Sequence, residues 1–293
     1  VVRLVGSEMC IRDSVCTHRG NILVHEKCKS KKIICNYHGR RFDDEGKFQF
    51  MPEFKETINF PRKSDNLHNF PLFLWNNLIF VGLNPSFNIE KVFEKINERI
   101  SFLPLQNLKL DKKLSKDYSI HANWALYCDN YLEGFHVPFV HKDLNEVLDY
   151  NNYDTEIDEY FNLQIGYAKN KDECFEIPKE HKDFGKNIAA YYYWLFPNLM
   201  LNFYPWGISI NLVCPEGISK TKILFRSYVF DKSKLNLGAS GDLDKVEMED
   251  EEIVQSVQRG INSSFYSTGR FSPTKEKGVH HFHSLVSKFF NDK

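Results

Sequence analysis

From residue 15 to residue 86 the apolar positions come in short runs, broken by Arg19-Gly20-Asn21, Asn36-Tyr37-His38-Gly39 and Asp43-Asp44-Glu45-Gly46. Apolar runs punctuated by Gly, Asn and Asp predict a small β domain, with last strands over 70–75 and 78–83 joined through Asn76-Asn77. Asn84-Pro85-Ser86 closes it. The period then changes. In 88–100 (NIEKVFEKINERI), Ile89, Val92, Phe93, Ile96 and Ile100 fall on one side of a helix, which predicts an amphipathic bridge into a second domain. Further on, 121–136 predicts a helix. The aromatic and β-branched stretches 190–196, 199–213 and 220–230 predict antiparallel strands turning at Pro215-Glu216-Gly217, and 244–264 predicts another helix. The chain has no internal repeat. The expected class is α+β: an all-β domain over 15–86 and an α+β domain over 87–293.

Composition narrows the function. The net charge of −1 gives no electrostatic reason to bind nucleic acid or an anionic membrane surface. No apolar run approaches the roughly 20 residues that span a bilayer. An odd number of scattered cysteines, seven in all, argues against a disulfide scaffold and for a reducing, cytoplasmic setting in which some thiols bind metal. Aromatic residues make up 15% of the chain, which predicts an aromatic-lined core or pocket. Residues 1–14 (VVRLVGSEMCIRDS) lack the apolar region and cleavage site of a signal peptide and look like a translated sequencing adapter. They are expected to be non-native, leaving the β domain short at its N-terminus.

Cys16-Thr17-His18 and Cys35-Asn36-Tyr37-His38 each offer one thiolate and one imidazole beside a glycine, Gly20 or Gly39. Two Cys on one iron and two His on the other make a Rieske 2Fe-2S centre, and the imidazoles raise its potential. Tetrahedral zinc is the rival occupant, although zinc motifs group Cys with Cys and His with His. Cys28 fits neither ligand position, and His25 reads as a surface histidine. The run CTHRG…CNYHG, followed by Phe42-Asp43 and Gly46, resembles the Rieske domain of ring-hydroxylating and related oxygenases. In that family several strands precede the first motif, and none is expected here.

The second constellation is NWALYCDNYLEGFHVPFVH, residues 123–141. His136 and His141, five apart, would diverge by some 140° on an ideal helix. Pro138 is expected to kink or end the helix and let both imidazoles turn toward one point. Two imidazoles and a carboxylate form the facial triad of non-haem Fe(II) oxygenases. The acid is sought in MEDEEIVQSVQRGI, where Asp250 falls near the centre of an apolar stripe of Ile253, Val254, Val257 and Ile261. Glu251 and Glu252 read as favourable charge at a helix N-terminus. Glu133 shares a helix face with His136, and Asn130 lies one turn before it.

The resemblance extends from Val15 to the C-terminal GRFSPTKEKGVHHFHSLV, whose His280, His281 and His283 are read as structural. It implies a catalytic domain with an antiparallel sheet covered by helices, in the helix-grip (START-like) manner. It also implies a 2Fe-2S cluster held by Cys16, His18, Cys35 and His38, and a mononuclear iron held by His136, His141 and Asp250. Glu133 would carry electrons between subunits of a ring-shaped homo-oligomer, a trimer, or else orient His136 within its own chain. With no nucleotide-binding glycine fingerprint, the ferredoxin or flavin reductase is expected to be a separate protein. The stretches DNYLEGFHVPFVHKDL, YDTEI and PNLMLNFYPWGISINLVCP are similar to the choline monooxygenase branch. The substrate, hydroxylated with O2, would then be a quaternary ammonium compound, with aromatic acids and other amines still open. Aromatic faces hold such cations; Tyr192, Trp194, Phe203, Tyr204 and Trp206 are candidates, with sheet core as the alternative. Two rival readings stand: a non-catalytic zinc module and an inactive fragment of an oxygenase.

Overall fold

The computed structural model describes residues 4–7, 10–26, 29–76, 78–235 and 238–291; Cys28 and Asn77 lie outside them. The chain divides into two compact units, Val1–Ile100 and Ser101–Lys293.

In the first unit, β1 (Leu4–Ser7) pairs with β2 (Cys10–Asp13). Strands β3 (Lys32–Ile34), β4 (Arg41–Asp43) and β5 (Phe48–Phe50) form an antiparallel meander. β6 (Asn69–Phe70) joins β2, and β7 (Leu72–Trp75) pairs with β8 (Leu78–Val81). Two strands therefore precede Cys16, where the sequence predicted none; their backbones are fixed by pairing with each other and with β6. Cys16, Leu23, Ile33, Cys35, Phe42 and Leu67 form the core. Arg40 is buried with its guanidinium 5.0 Å from the Phe48 ring centroid and ion-paired to Asp65. Helix α1 (Ile89–Ile100) buries Phe93 against Phe73, Trp75 and Phe80, with centroids 5.3, 4.8 and 5.0 Å away. This packing makes α1 part of the first unit, so the division falls after Ile100 and not at 86/87.

The second unit is built on an antiparallel sheet whose described strands run β10-β11-β12-β13-β14-β15-β9. They are β9 (Lys109–Ile120), β10 (Asp154–Ile157), β11 (Phe161–Tyr167), β12 (Ile188–Leu195), β13 (Leu199–Tyr204), β14 (Gly207–Gly217) and β15 (Lys220–Val229). The predicted strand 199–213 is a hairpin, β13 and β14, turning at Pro205-Trp206. Gly207 makes the turn possible, because a Cβ there would lie 2.1 Å from the Tyr228 carbonyl oxygen. β14 also runs through Pro215-Glu216-Gly217 with a register shift, and the turn falls two residues later. The charged β9 (KLDKKLSKDYSI) gave no alternation to read because it is an edge strand with largely exposed side chains, where lysine is favoured.

Register sets the two faces of the sheet. Gln164, Tyr192, Asn202, Ser209 and Ser227 line up across one face, while Tyr191, Phe203 and Ile208 line up on the other. Helices α2 (Trp124–Tyr131), α5 (Leu243–Ile261) and α6 (Lys277–Asn291) cover the first face around a core that includes Cys128, Trp194, Met200, Val213, Val254 and Phe282. α2 and α6 approach closely at Gly278, where a Cβ would sit 2.4 Å from the Leu132 carbonyl oxygen. None of the described helices is long and apolar enough to cross a membrane.

Two expectations for α5 fail. Ile253, Val257 and Ile261 do not face the core; they are 39%, 43% and 36% exposed. The inward face instead carries Glu247 and Val254, plus Gln255 and Gln258, which accept from the backbone N–H groups of His121 (3.0 Å) and Asn123 (2.7 Å). Polar side chains occupy that face because they satisfy backbone donors. The Asp242 side chain caps the helix by accepting from Lys245 N–H. Glu251 and Glu252 therefore sit two turns in, not at the N-terminus, and burial raises the Glu251 pKa.

Candidate functional site

The first candidate site is two copies of one turn. Gly20 N–H donates to the Cys16 carbonyl and Gly39 N–H to the Cys35 carbonyl, each at 2.9 Å. The glycines take φ of +72° and +69°, a region only Gly enters without strain. Each turn is closed by a second bond, from Cys16 N–H to the Asn21 carbonyl and from Cys35 N–H to the Arg40 carbonyl, both 2.8 Å. Cys16 and Cys35 are buried at 2% exposure, His18 is half-buried and His38 exposed. The site thus has a dry thiol end and an open imidazole end, with the two rings 4.8 Å apart. Burial pushes the Cys16 thiol up. Against the same effect, the N–H groups of Tyr37 and His38, the Cys16 thiol and the Asn21 amide bring the Cys35 thiol down. A cluster with one sulfur-bound and one nitrogen-bound iron needs this division of donors. His25 is exposed, as expected.

The second candidate site lies where α2 gives out. The helix stops at Tyr131, earlier than predicted, and the chain turns through Gly134, whose missing Cβ leaves room for the Tyr153 ring. Pro138 does not kink that helix. It lies in the first turn of a new one, α3 (Val137–Val140), where an absent N–H costs nothing. His136 precedes α3 and His141 follows it, leading into α4 (Lys142–Val147). This brings the two Nε2 atoms to 3.2 Å. Asp250 on α5 completes a triangle, with Oδ1 3.0 Å from His141 Nε2 and 3.5 Å from His136 Nε2. Edges of this length match donors about 2.0–2.2 Å from one divalent ion at octahedral or tetrahedral angles. These three are close enough together to hold a metal ion.

Both imidazoles are held from behind. Glu133 Oε1 lies 2.6 Å from His136 Nδ1, while its Oε2 accepts from the backbone N–H groups of Phe135 and His136. Glu249 Oε2 lies 2.7 Å from His141 Nδ1. A carboxylate on Nδ1 fixes the tautomer and leaves Nε2 for a metal. Burial works against charging His141, yet Asp250 and Glu249 together raise its pKa. Glu249 escaped the sequence reading; its adjacency to Asp250 was the available signal.

The triangle borders a cavity of about 750 Å³, open mouth included. Its walls include Asn130, Glu133, Gln164, Asn202, Glu247 and five tyrosines (127, 131, 153, 192 and 204). Of the five aromatic candidates for the pocket, Tyr192 and Tyr204 line it. Trp194 shares the face of Tyr192 but is covered by Phe282 of α6, 5.3 Å away. Phe203 is on the opposite face, against Tyr193. Trp206 lies beyond the end of β13, stacked on Tyr204 at 5.3 Å.

Glu247 was also missed, although it sits three residues before Asp250 and hence on the same helix face. It is 4% exposed and receives the Tyr127 hydroxyl at 2.8 and 2.6 Å. Burial pushes its pKa up to about 8. The surplus histidines are engaged elsewhere. His281 Nδ1 meets Asn162 Oδ1 at 2.8 Å, and His283 Nε2 meets Asp129 at 2.9 Å.

Two family models match the chain: the Rieske [2Fe-2S] domain over residues 1–70, and the ring hydroxylating alpha subunit (catalytic domain) over residues 107–291. Among curated proteins, the chain is similar to the chloroplastic choline monooxygenase of Beta vulgaris, at 30% identity over 92% of this chain and 61% of the relative. The chloroplastic choline monooxygenase of Arabidopsis thaliana is 31% identical over 93% and 67%. The carnitine monooxygenase oxygenase subunit of Escherichia coli (strain K12) is 25% identical over 100% and 81%. The chain thus spans about three fifths of the length of the Beta vulgaris relative. Among solved structures, the quaternary ammonium Rieske monooxygenase CntA in complex with L-carnitine shares the fold with a TM-score of 0.67 and 18% identity, over 98% of this chain and 84% of that one. Naphthalene 1,2-dioxygenase from Rhodococcus sp. does so at 0.66 and 18%, over 96% and 81%.

Proposed function

The chain belongs to the family of ring-hydroxylating oxygenase alpha subunits, and on that premise we propose that it is an oxygenase component that hydroxylates a small quaternary ammonium compound with O2. One observation carries the reading: the His136–His141–Asp250 triangle opens on a cavity walled by tyrosines. Cys16 and Cys35 would hold one iron of a 2Fe-2S cluster, His18 and His38 the other, and the triangle a mononuclear iron. When bound, the cluster supplies one-electron transfer and the mononuclear iron supplies O2 activation. Everything else is done by side chains. Glu133 and Glu249 hold the two imidazoles by Nδ1 so that both Nε2 atoms point to one place. Tyr153, Tyr192 and Tyr204 line the cavity with aromatic rings, which suit a cation. Asn130 adds a polar side chain to the wall, while Asn202 and Gln164 hold Tyr131 and Tyr153 in place by hydrogen bonds.

The electrons come from a separate ferredoxin or flavin reductase, and the working unit is a ring-shaped homo-oligomer, a trimer. In it the Glu133 carboxylate would link His136 to a neighbour. The exposed Phe135 and Phe139 flanking His136 support an interface at this loop. The test is iron, zinc and acid-labile sulfide per chain in anaerobically purified protein, followed by O2 uptake with choline and a reductase. About three irons and two sulfides, with uptake matched by choline loss, are expected. Zinc without sulfide would leave a structural metal module instead.

A further inference from the structure

Among the residues lining the cavity the charged groups are acids: Glu133 and Asp250, both occupied with the histidine pair, and Glu247. Among the described residues, no lysine or arginine lines it. Glu247 is not used by the proposed chemistry. It comes from the same face of α5 as Asp250, is buried, and has one hydroxyl, that of Tyr127, serving both its oxygens. No cationic side chain among the described residues pairs with it. A buried carboxylate without a counter-charge is costly, so burial favours the neutral form of Glu247, and a cationic occupant lying against it relieves that cost and favours the charged form. The adjoining tyrosine faces favour the same kind of occupant.

We propose that Glu247 is a specificity-determining residue that pairs with the substrate's ammonium group and restricts the cavity to cations carrying no carboxylate of their own. The inference rests on the quaternary ammonium reading and goes beyond it, since the relatives include enzymes named for choline, a simple cation, and for carnitine, a zwitterion. A zwitterion's carboxylate would meet Glu247 in a cavity whose described lining holds no lysine or arginine, and like charges at a desolvated site repel. Tyr127 acts as a positioning residue, holding the carboxylate by its hydroxyl.

Equilibrium binding decides the matter without turnover. Three probes are titrated calorimetrically into the anaerobic, metal-loaded oxygenase: choline, L-carnitine, and 3,3-dimethylbutan-1-ol, which has choline's shape without its charge. Choline is expected to bind the unaltered protein at least tenfold more tightly than either of the others. In Glu247→Gln, choline affinity falls on the order of 30-fold, toward that of the uncharged isostere, whose own affinity is unchanged or improved. Carnitine binding as tightly as choline to the unaltered protein would overturn the proposal even if the variant fails to fold. So would a folded Glu247→Gln that keeps choline's advantage over the isostere. In both cases the quaternary ammonium reading survives. If the unaltered protein binds neither choline nor carnitine, that reading itself is refuted, and this inference falls with it.

Discussion

Two loops of one design make the first site, whereas the second is assembled from elements 109 residues apart in sequence, an α2–α4 connection and the middle of α5. In the first, precision comes from the backbone. Each ligand pair rides on a turn closed by main-chain hydrogen bonds and a left-handed glycine, and the side chains need only point along it. In the second, precision comes from other side chains. Glu133 and Glu249 grip the imidazoles, and the Gln255 and Gln258 contacts to residues 121 and 123 register α5 against the start of α2. A site made of turns keeps its shape wherever those turns fold. A site made of helices depends on packing across the whole sheet.

The largest effects come from deleting a ligand on one side or the other. Asp250→Ala is expected to lower iron by about one per chain and leave acid-labile sulfide unchanged, while Cys35→Ser removes the sulfide and about two irons and leaves the mononuclear iron in place. Each abolishes turnover. Retained iron and turnover in Asp250→Ala would sink the ligand assignment, and loss of both metals in either variant would show that the two sites are not independent.

The next effect separates backbone from side-chain precision. Glu249→Ala removes the acceptor on His141 Nδ1 and should weaken mononuclear iron binding roughly 10–100-fold, read by competition with a chelator, with sulfide constant. By contrast Gly20→Ala, where an added Cβ meets nothing within 4 Å, costs only the strain of a positive φ, about 1 kcal/mol in the first unit, read as an earlier thermal bleaching of the cluster. If Gly20→Ala proves harmless, the turns are looser than their φ values say.

The same contrast explains what could be read from the chain alone. The first site was legible because Cys-x-His and Cys-x-x-His with following glycines state ligands and turn together within a few residues. Asp250 was reached by placing it on an apolar stripe, but of that stripe only Val254 is buried, and the useful fact was the phase of α5. The phase is set by Val254 and by polar residues that bond the backbone of residues 121–123, contacts that periodicity does not encode. Glu247 and Glu249 were lost among seven acids between 242 and 252, since a solvated charge and a buried one are the same letter. Trp194, Phe203 and Trp206 lie outside the cavity wall, which was not legible because alternation gives a residue's face of the sheet, not which stretch of that face a helix covers.

The smallest effect tests whether the second unit's other histidines are bystanders. His283 differs from His136 and His141 in which nitrogen is engaged. Its Nε2 faces Asp129, whereas the site histidines are held by Nδ1 and keep Nε2 for the triangle. His283→Gln should therefore leave iron and sulfide unchanged and cost less than about 1 kcal/mol, since the side chain is 48% exposed. Asp129, outweighing burial, raises the His283 pKa above its ordinary value. The ion pair's contribution is thus complete below about pH 6.5 and disappears as pH rises through the raised value. Chemical denaturation of both proteins at pH 5.5 and pH 8.5 measures this, with the gap between them closing at the higher pH. Iron lost from His283→Gln would mean that the second site draws on a ligand outside the triangle, and the contrast between a site of turns and a site of gripped imidazoles would have to be redrawn.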